Sequence, residues 1–331
     1  MLALGARHVF AWRARGGIFV SIIAQSYRGR ASVDGRRRES IAPISVRWFA
    51  PANRDRPMAK ELVREPDGLS FRKRLHLATL ERWIYVAWFS FVVQFRRTTL
   101  GPLWLILNPL LFIILLGTLY AKVGRVEPAI LIPSMTVGVV VWTLIGGFLG
   151  QSATVFQRNR AQLLQGSMNL TEIALVEVIT IVLQFMHQIL IIVGVFIIFL
   201  QPITLYSLLS LVGLALVIAN GYWLTMVFGI VGARYRDLAP VMTAVLRIAF
   251  LATPIIWVVP AVAEGNSRGG LLGPFLFFNP FYHFLEIIRA PLLGNPIAWP
   301  TWIVVLLITI SGFALLDYMQ KRFARLVPLW V

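Results

Sequence analysis

The 331-residue sequence contains no cysteine. Disulfides, thiolate metal sites and a cysteine nucleophile are thereby excluded, while the redox compartment stays open. Acids are scarce: 14 Asp and Glu stand against 31 Lys and Arg, a net charge of +17. Histidine is scarcer, and His8, His76, His187 and His283 lie too far apart in the chain to suggest a metal-ligand spacing. The phosphate-binding loop G-x-x-x-x-G-K-[ST] is missing, and Gly-Lys occurs nowhere. G-x-G-x-x-G is missing as well. A catalyst in a bilayer needs convergent polar groups, and this chain offers too few. Neither a metal nor a cofactor is expected in it. The short alternating segments of a membrane β-barrel are also lacking.

What the chain has is hydrocarbon: 58% of its residues are hydrophobic. Uncharged runs of about 20 residues recur, the length that spans ~30 Å of membrane interior. The pattern predicts an all-α membrane protein with six transmembrane helices, near 103–121, 131–150, 174–200, 206–231, 239–262 and 300–317. Nineteen of the 31 basic residues fall in the first 97 positions. Beside membrane spans, that excess reads as a cytoplasmic flank facing membrane lipids, not as a nucleic-acid surface. With the N-terminus inside, the inner loops hold Arg158, Arg160, Arg234 and Arg236, and the C-terminal segment holds Lys321, Arg322 and Arg325. The outer loops hold only Lys122, Arg125, Arg268 and Arg289. The bias predicts both termini on the cytoplasmic side of a plasma membrane.

Residues 1–57 carry eleven Arg, no Lys and three acids, without sustained periodicity. Two readings are open: a basic disordered tail reaching to about residue 65, or a protein that starts at Met58. The transmembrane domain then occupies 66–331. Residues 69–97 place Arg72, Lys73 and Arg74 at one end, Arg96 and Arg97 at the other, and Trp83, Tyr85, Trp88, Phe89 and Phe91 between. This predicts an amphipathic interface helix, with a short span as the alternative. In the third span, Glu177, Gln184 and His187 share one broad side, which predicts a face turned toward protein. His187 is read as a hydrogen-bonded packing residue and not as a proton relay.

The stretch "NPFYHFLEIIRAPLLG", 279–294, sits between the fifth and sixth spans. Pro280 and Pro291 bracket it, and Glu286 and Arg289 share a face at i,i+3. Charged or broken backbone at membrane depth is tolerated where protein or water covers it. A re-entrant element at the outer mouth fits, as does an interfacial helix that merely packs.

Three motifs occur in order: "FRRTTLGPLWLILNPLL" (95–111), "ARYRDLAPVMTAVLRIAFLATPIIW" (233–257) and "FNPFYHFLEIIRAPLLG" (278–294). Together they resemble the type-2 ABC exporter permeases, in particular the branch that exports O-antigen, capsule or teichoic acid in bacteria. The resemblance covers about 70–325. It implies a homodimer of permeases paired with two copies of a separate ABC-type ATPase, which would hold ATP and Mg. It also implies a lipid-linked glycan as cargo.

In that family the loop between spans two and three meets the ATPase. Here it is 151–174, where apolar Phe156, Leu163 and Leu164 and polar Arg158, Arg160 and Glu172 would dock in a partner groove. An ordinary solvated connector is the alternative. Arg234, Arg236 and Asp237 of "RYRD" suggest an ion-pair latch at the inner end of span four, or a plain stop-transfer cluster. Arg247 lies about ten residues into the fifth span. It would contact an anionic group on the substrate, reach the inner interface or pair with Glu177. Trp142, Trp257, Phe281 and Tyr282, with Phe148 and Phe284, are candidate pathway aromatics, because sugars pack their C–H faces on rings. Glu286 and Arg289 would line the same route. Aromatic belts and packing explain rings equally well. Two other functions stay open: export of a drug, lipid or small molecule, and a membrane-embedded scaffold or transferase.

Overall fold

The structure is a computed structural model that describes residues 77–124, 127–257 and 272–331. Residues 1–76 lie outside the described residues, including the predicted tail and the Arg72–Arg74 cluster. Among the described residues there are helices and no strand. Five helices among the described residues are long and apolar enough to cross a membrane: α2 (Leu103–Gly124), α3 (Pro128–Ser152), α6 (Leu170–Ile198), α7 (Leu209–Arg234, extended by a 3-10 turn from Leu205) and α11 (Trp299–Phe323). They match the first four predicted spans and the last, making this a multi-pass membrane protein.

The bundle is built around α3. Of its most apolar stretch, 72% is buried, against 11% for α2 and 17% for α11. A helix apolar all round is satisfied inside a protein or in lipid. Here α3 takes the first role, and the exposed leucines and isoleucines of α2 and α11 suit the second.

The fifth predicted span is corrected. α8 covers Leu238–Ala252, 15 residues, and stops at Thr253 (φ −98°, ψ 139°). Thr253 precedes Pro254, whose ring pushes the preceding residue out of the helical region. Thr253, Pro254, Ile255 and Ile256 then pass through the interior as buried, non-helical chain. The rest of that predicted span, 258–262, lies outside the described residues. Among the described residues, two short helices follow before α11, α9 (Leu272–Phe277) and α10 (Pro280–Leu292).

The aromatic helix near the N-terminus is α1 (Leu77–Phe95). Trp83, Ala87 and Phe91, four residues apart, form its buried stripe. It runs lengthwise along α6 in the same direction. Arg82 bonds Glu172 at 2.5 Å, and Gln94 accepts from Gln184 at 3.1 Å, twelve residues farther along both helices. The predicted protein-facing side of the third span is there: Glu177, Gln184 and His187 all have partners. Gln184 also accepts from Gln151 at 3.4 Å. His187 lies 2.8 Å from the Leu183 carbonyl, with its ring 4.9 Å from that of Phe91.

Candidate functional site

Two regions collect the candidate residues: the loop at the inner end of the bundle, and a groove along its flank.

The loop follows α3. It holds α4 (Val155–Arg158) and α5 (Arg160–Leu164), which ends where Gly166 takes φ +65°. α4 is wedged under α7, which has no side chain at the point of closest approach. A Cβ on Gly229 would lie 2.7 Å from the Phe156 ring, and one on Gly232 would lie 1.9 Å from the Ala153 carbonyl oxygen. Gln157 donates to the Gly232 carbonyl at 2.7 Å. Arg158 donates to the Gln151 carbonyl at the end of α3 (2.9 Å) and to Glu177 of α6 (2.7 Å). At the start of α6, Glu172 accepts from the Asn169 backbone N–H at 2.9 Å as well as from Arg82.

This geometry divides the predicted docking set. Phe156 is fully buried and Glu172 and Arg158 are spent on internal bonds. Arg158, Arg160 and Leu164 are exposed, and Leu163 is half-buried. The loop is therefore a brace joining α3, α6 and α7, with α5 as its outer surface.

The ion-pair latch predicted at the inner end of α7 is also corrected. Among the described residues, Arg234, Arg236 and Asp237 form no ion pair. Arg234 instead lies over the Trp330 ring, 5.3 Å from its centroid.

The groove, about 690 Å³, lies between α2, α3, α6 and α8. Trp104, Phe112, Trp142 and Phe250 give it aromatic walls, and Asn108, Thr143 and Gln188 supply polar atoms. Phe250 stands 5.9 Å from Phe112 and 5.8 Å from Trp142, edge to face. Arg247 enters from α8. It is exposed and has no ion pair among the described residues. Its predicted pairing with Glu177 is not formed; that carboxylate pairs with Arg158.

The remaining pathway candidates divide. Phe281 meets Trp142 at 5.4 Å but turns, with Phe148 and Phe284, to a separate cavity of about 190 Å³ among α3, α7, α10 and α11. Trp257 packs on the core at the end of the buried 253–256 stretch. Tyr282 lies beside His283 and outside the groove. Glu286 and Arg289 point into protein. Arg289 is buried, bonded to Glu286 through Nε at 2.9 Å, and donates to the Pro254 carbonyl at 2.5 Å. Asn279, which caps α10 by accepting from Phe281 N–H, also donates to Thr253 Oγ1 at 3.0 Å. The polar residues of α10 thus satisfy the backbone that Pro254 frees.

Sequence reasoning missed Gln157, Asn279, Trp104, Gln188 and Trp330. Only Asn279 carried a signal, an N-cap residue directly before a proline at the first helical position.

Comparison with curated proteins gave no match. Comparison with protein families matched the ABC-2 type transporter model over residues 81–293, from the first turns of α1 through α10. Members of that family are transport permeases and not enzymes, and they work with an ATPase carried on a separate subunit. With its bundle of apolar helices and most of its length matched, the chain belongs to the ABC-2 type transporter family.

Proposed function

We propose that this chain is the membrane half of an exporter that moves a lipid-linked or anionic surface polysaccharide across a bacterial plasma membrane. Two copies pair with two ATPase subunits, which hold ATP and Mg, and both termini lie in the cytoplasm. The transmembrane domain is 66–331, preceded by a basic tail. Hydrolysis in the partner is transmitted through α5 and the α4 brace, and the cargo passes along the groove.

The observation that carries this reading is Arg247. A cation among apolar helices is costly and is retained where protein, water or an anion faces it. Among the described residues Arg247 has no carboxylate partner, and it stands in a groove walled by indole and phenyl rings. A phosphate suits the cation, and the C–H faces of sugars suit the rings. The test is Arg247→Ala beside Arg247→Lys, with surface glycan measured in the host. Losing a charge-assisted contact of ~1.5–3 kcal/mol lowers export by about tenfold or more, and the lysine variant retains part of it. Unchanged export with Arg247→Ala removes the groove from the pathway.

A second reading, export of a lipid or small amphipathic molecule, is favoured by the mostly apolar lining of the groove. An unchanged surface glycan with altered drug tolerance after deletion selects it. The transferase alternative falls with the family assignment.

A further inference from the structure

The family relationship draws attention to the loop between spans two and three, yet the inner end of the bundle has a second element beside it. Helix α12 (Val327–Trp330) packs against both α5 and the base of α7. Val327 is fully buried. Trp330 is held on two sides, by the Arg234 guanidinium at 5.3 Å and by the Phe323 ring at 6.1 Å. These contacts anchor α12, but they leave Leu329 outside, 79% exposed, as Leu164 of the adjoining α5 is 52% exposed.

We infer that α12 and α5 form one composite surface that receives the ATPase, so the coupling element is not the loop alone. The inference rests on the reading that α5 meets the ATPase.

Three observations favour a protein partner of that kind. The surface lies on the end of the bundle, where α3 and α7 terminate, away from the exposed apolar flanks of α2 and α11. Its two exposed leucines come from separate elements that touch, the arrangement an apolar groove on a partner can grip. Arg160, Arg236 and Arg325 of that end are exposed, against two exposed acids without an ion pair there among the described residues, Asp237 and Glu81. The groove that fits is therefore apolar with an acidic rim. Arg234 has a stated task here: it holds the ring that positions α12.

The experiment uses the full chain, expressed in its host, with a photo-crosslinking amino acid placed in turn at Leu164, Leu329 and Leu315. Leu315 is an exposed flank position on α11. After irradiation in the membrane and purification in mild detergent, adducts are identified by mass spectrometry. Gel filtration confirms that each variant remains intact. The expected result is adducts from 164 and 329 to one and the same phosphate-loop ATPase, and none from 315. Adding Trp330→Ala lowers the yield from 329 about fivefold while the yield from 164 holds. If 164 reaches the ATPase but 329 gives only lipid adducts, or none, α12 lies outside the interface and the composite surface is overturned alone. If neither position reaches an ATPase, the coupling role of α5 falls with it.

Discussion

One guanidinium nitrogen of Arg158 serves two helices at once, donating to the Gln151 carbonyl at the end of α3 and to the Glu177 carboxylate of α6. Force applied to the loop therefore reaches both helices, and both line the groove that contains Arg247.

Arg158→Ala and Glu177→Gln should each lower export. Glu177 is largely buried, so removing its partner leaves a poorly solvated charge. Because Arg158 is about half exposed, the loss of stability is limited to ~1–2 kcal/mol. The ATPase should still co-purify, because Glu177 is buried and Arg158 spends its guanidinium on Glu177 and the Gln151 carbonyl, which leaves α5 unchanged. The reversed pair, Arg158→Glu with Glu177→Arg, should recover part of the activity. Full export by either single variant would show that the pair transmits nothing.

The pair formed by Arg82 and Glu172 should behave differently. Arg82 is more than half exposed, and Glu172 keeps its bond to the Asn169 N–H without it. Arg82→Ala should change stability by ~0–1 kcal/mol, as exposed ion pairs do. Thermal unfolding in detergent measures it. A loss near that of Arg158→Ala would mean that α1 depends on this pair and not on its buried Trp83, Ala87 and Phe91.

Arg289→Met should destabilise the protein more than either. It removes the donor to the Pro254 carbonyl and strands Glu286, with a loss of about 2–4 kcal/mol. Asn279→Ala should act in the same direction and less strongly, through the α10 cap and Thr253. Thermal unfolding and protease susceptibility around 253–257 report both. An Arg289→Met protein as stable as the parent would show that the broken chain is held by packing alone.

The sequence made the long helices legible because length and hydropathy fix them locally. It also carried the break at Pro254, but the apolar run through Ile255, Ile256 and Trp257 concealed that the helix stops there. The coupling loop was legible as a place and misread in its parts. Phe156 looks like a docking residue until Gly229 is seen to have cleared room for its ring, and Gly232 for the backbone of Ala153. The Arg234–Trp330 contact joins residues almost a hundred positions apart, and no local pattern announces it. The groove needs four helices to exist, so Arg247 could be recognised as unusual but not as unpaired.

Gly232 offers the sharpest test of the brace. An alanine Cβ there would sit 1.9 Å from a backbone oxygen, that of Ala153, and not from the tip of a side chain able to swing aside. The chain must shift, and the segment most free to shift is α4, which would carry Phe156 and the Gln157 bond out of place. Overpacking of this kind costs about 1–3 kcal/mol, occasionally more. Gly146 on α3 is the matched control, since a Cβ there meets nothing within 4 Å. Gly146→Ala should leave stability unchanged or raise it slightly by restricting the unfolded chain. Gly232→Ala should lower the unfolding temperature and open 160–167 to protease while the ATPase binds more weakly. Equal behaviour of the two variants would mean that α4 is not seated against α7 in the working protein, and the path from the loop to the groove would have to run through Glu177 alone.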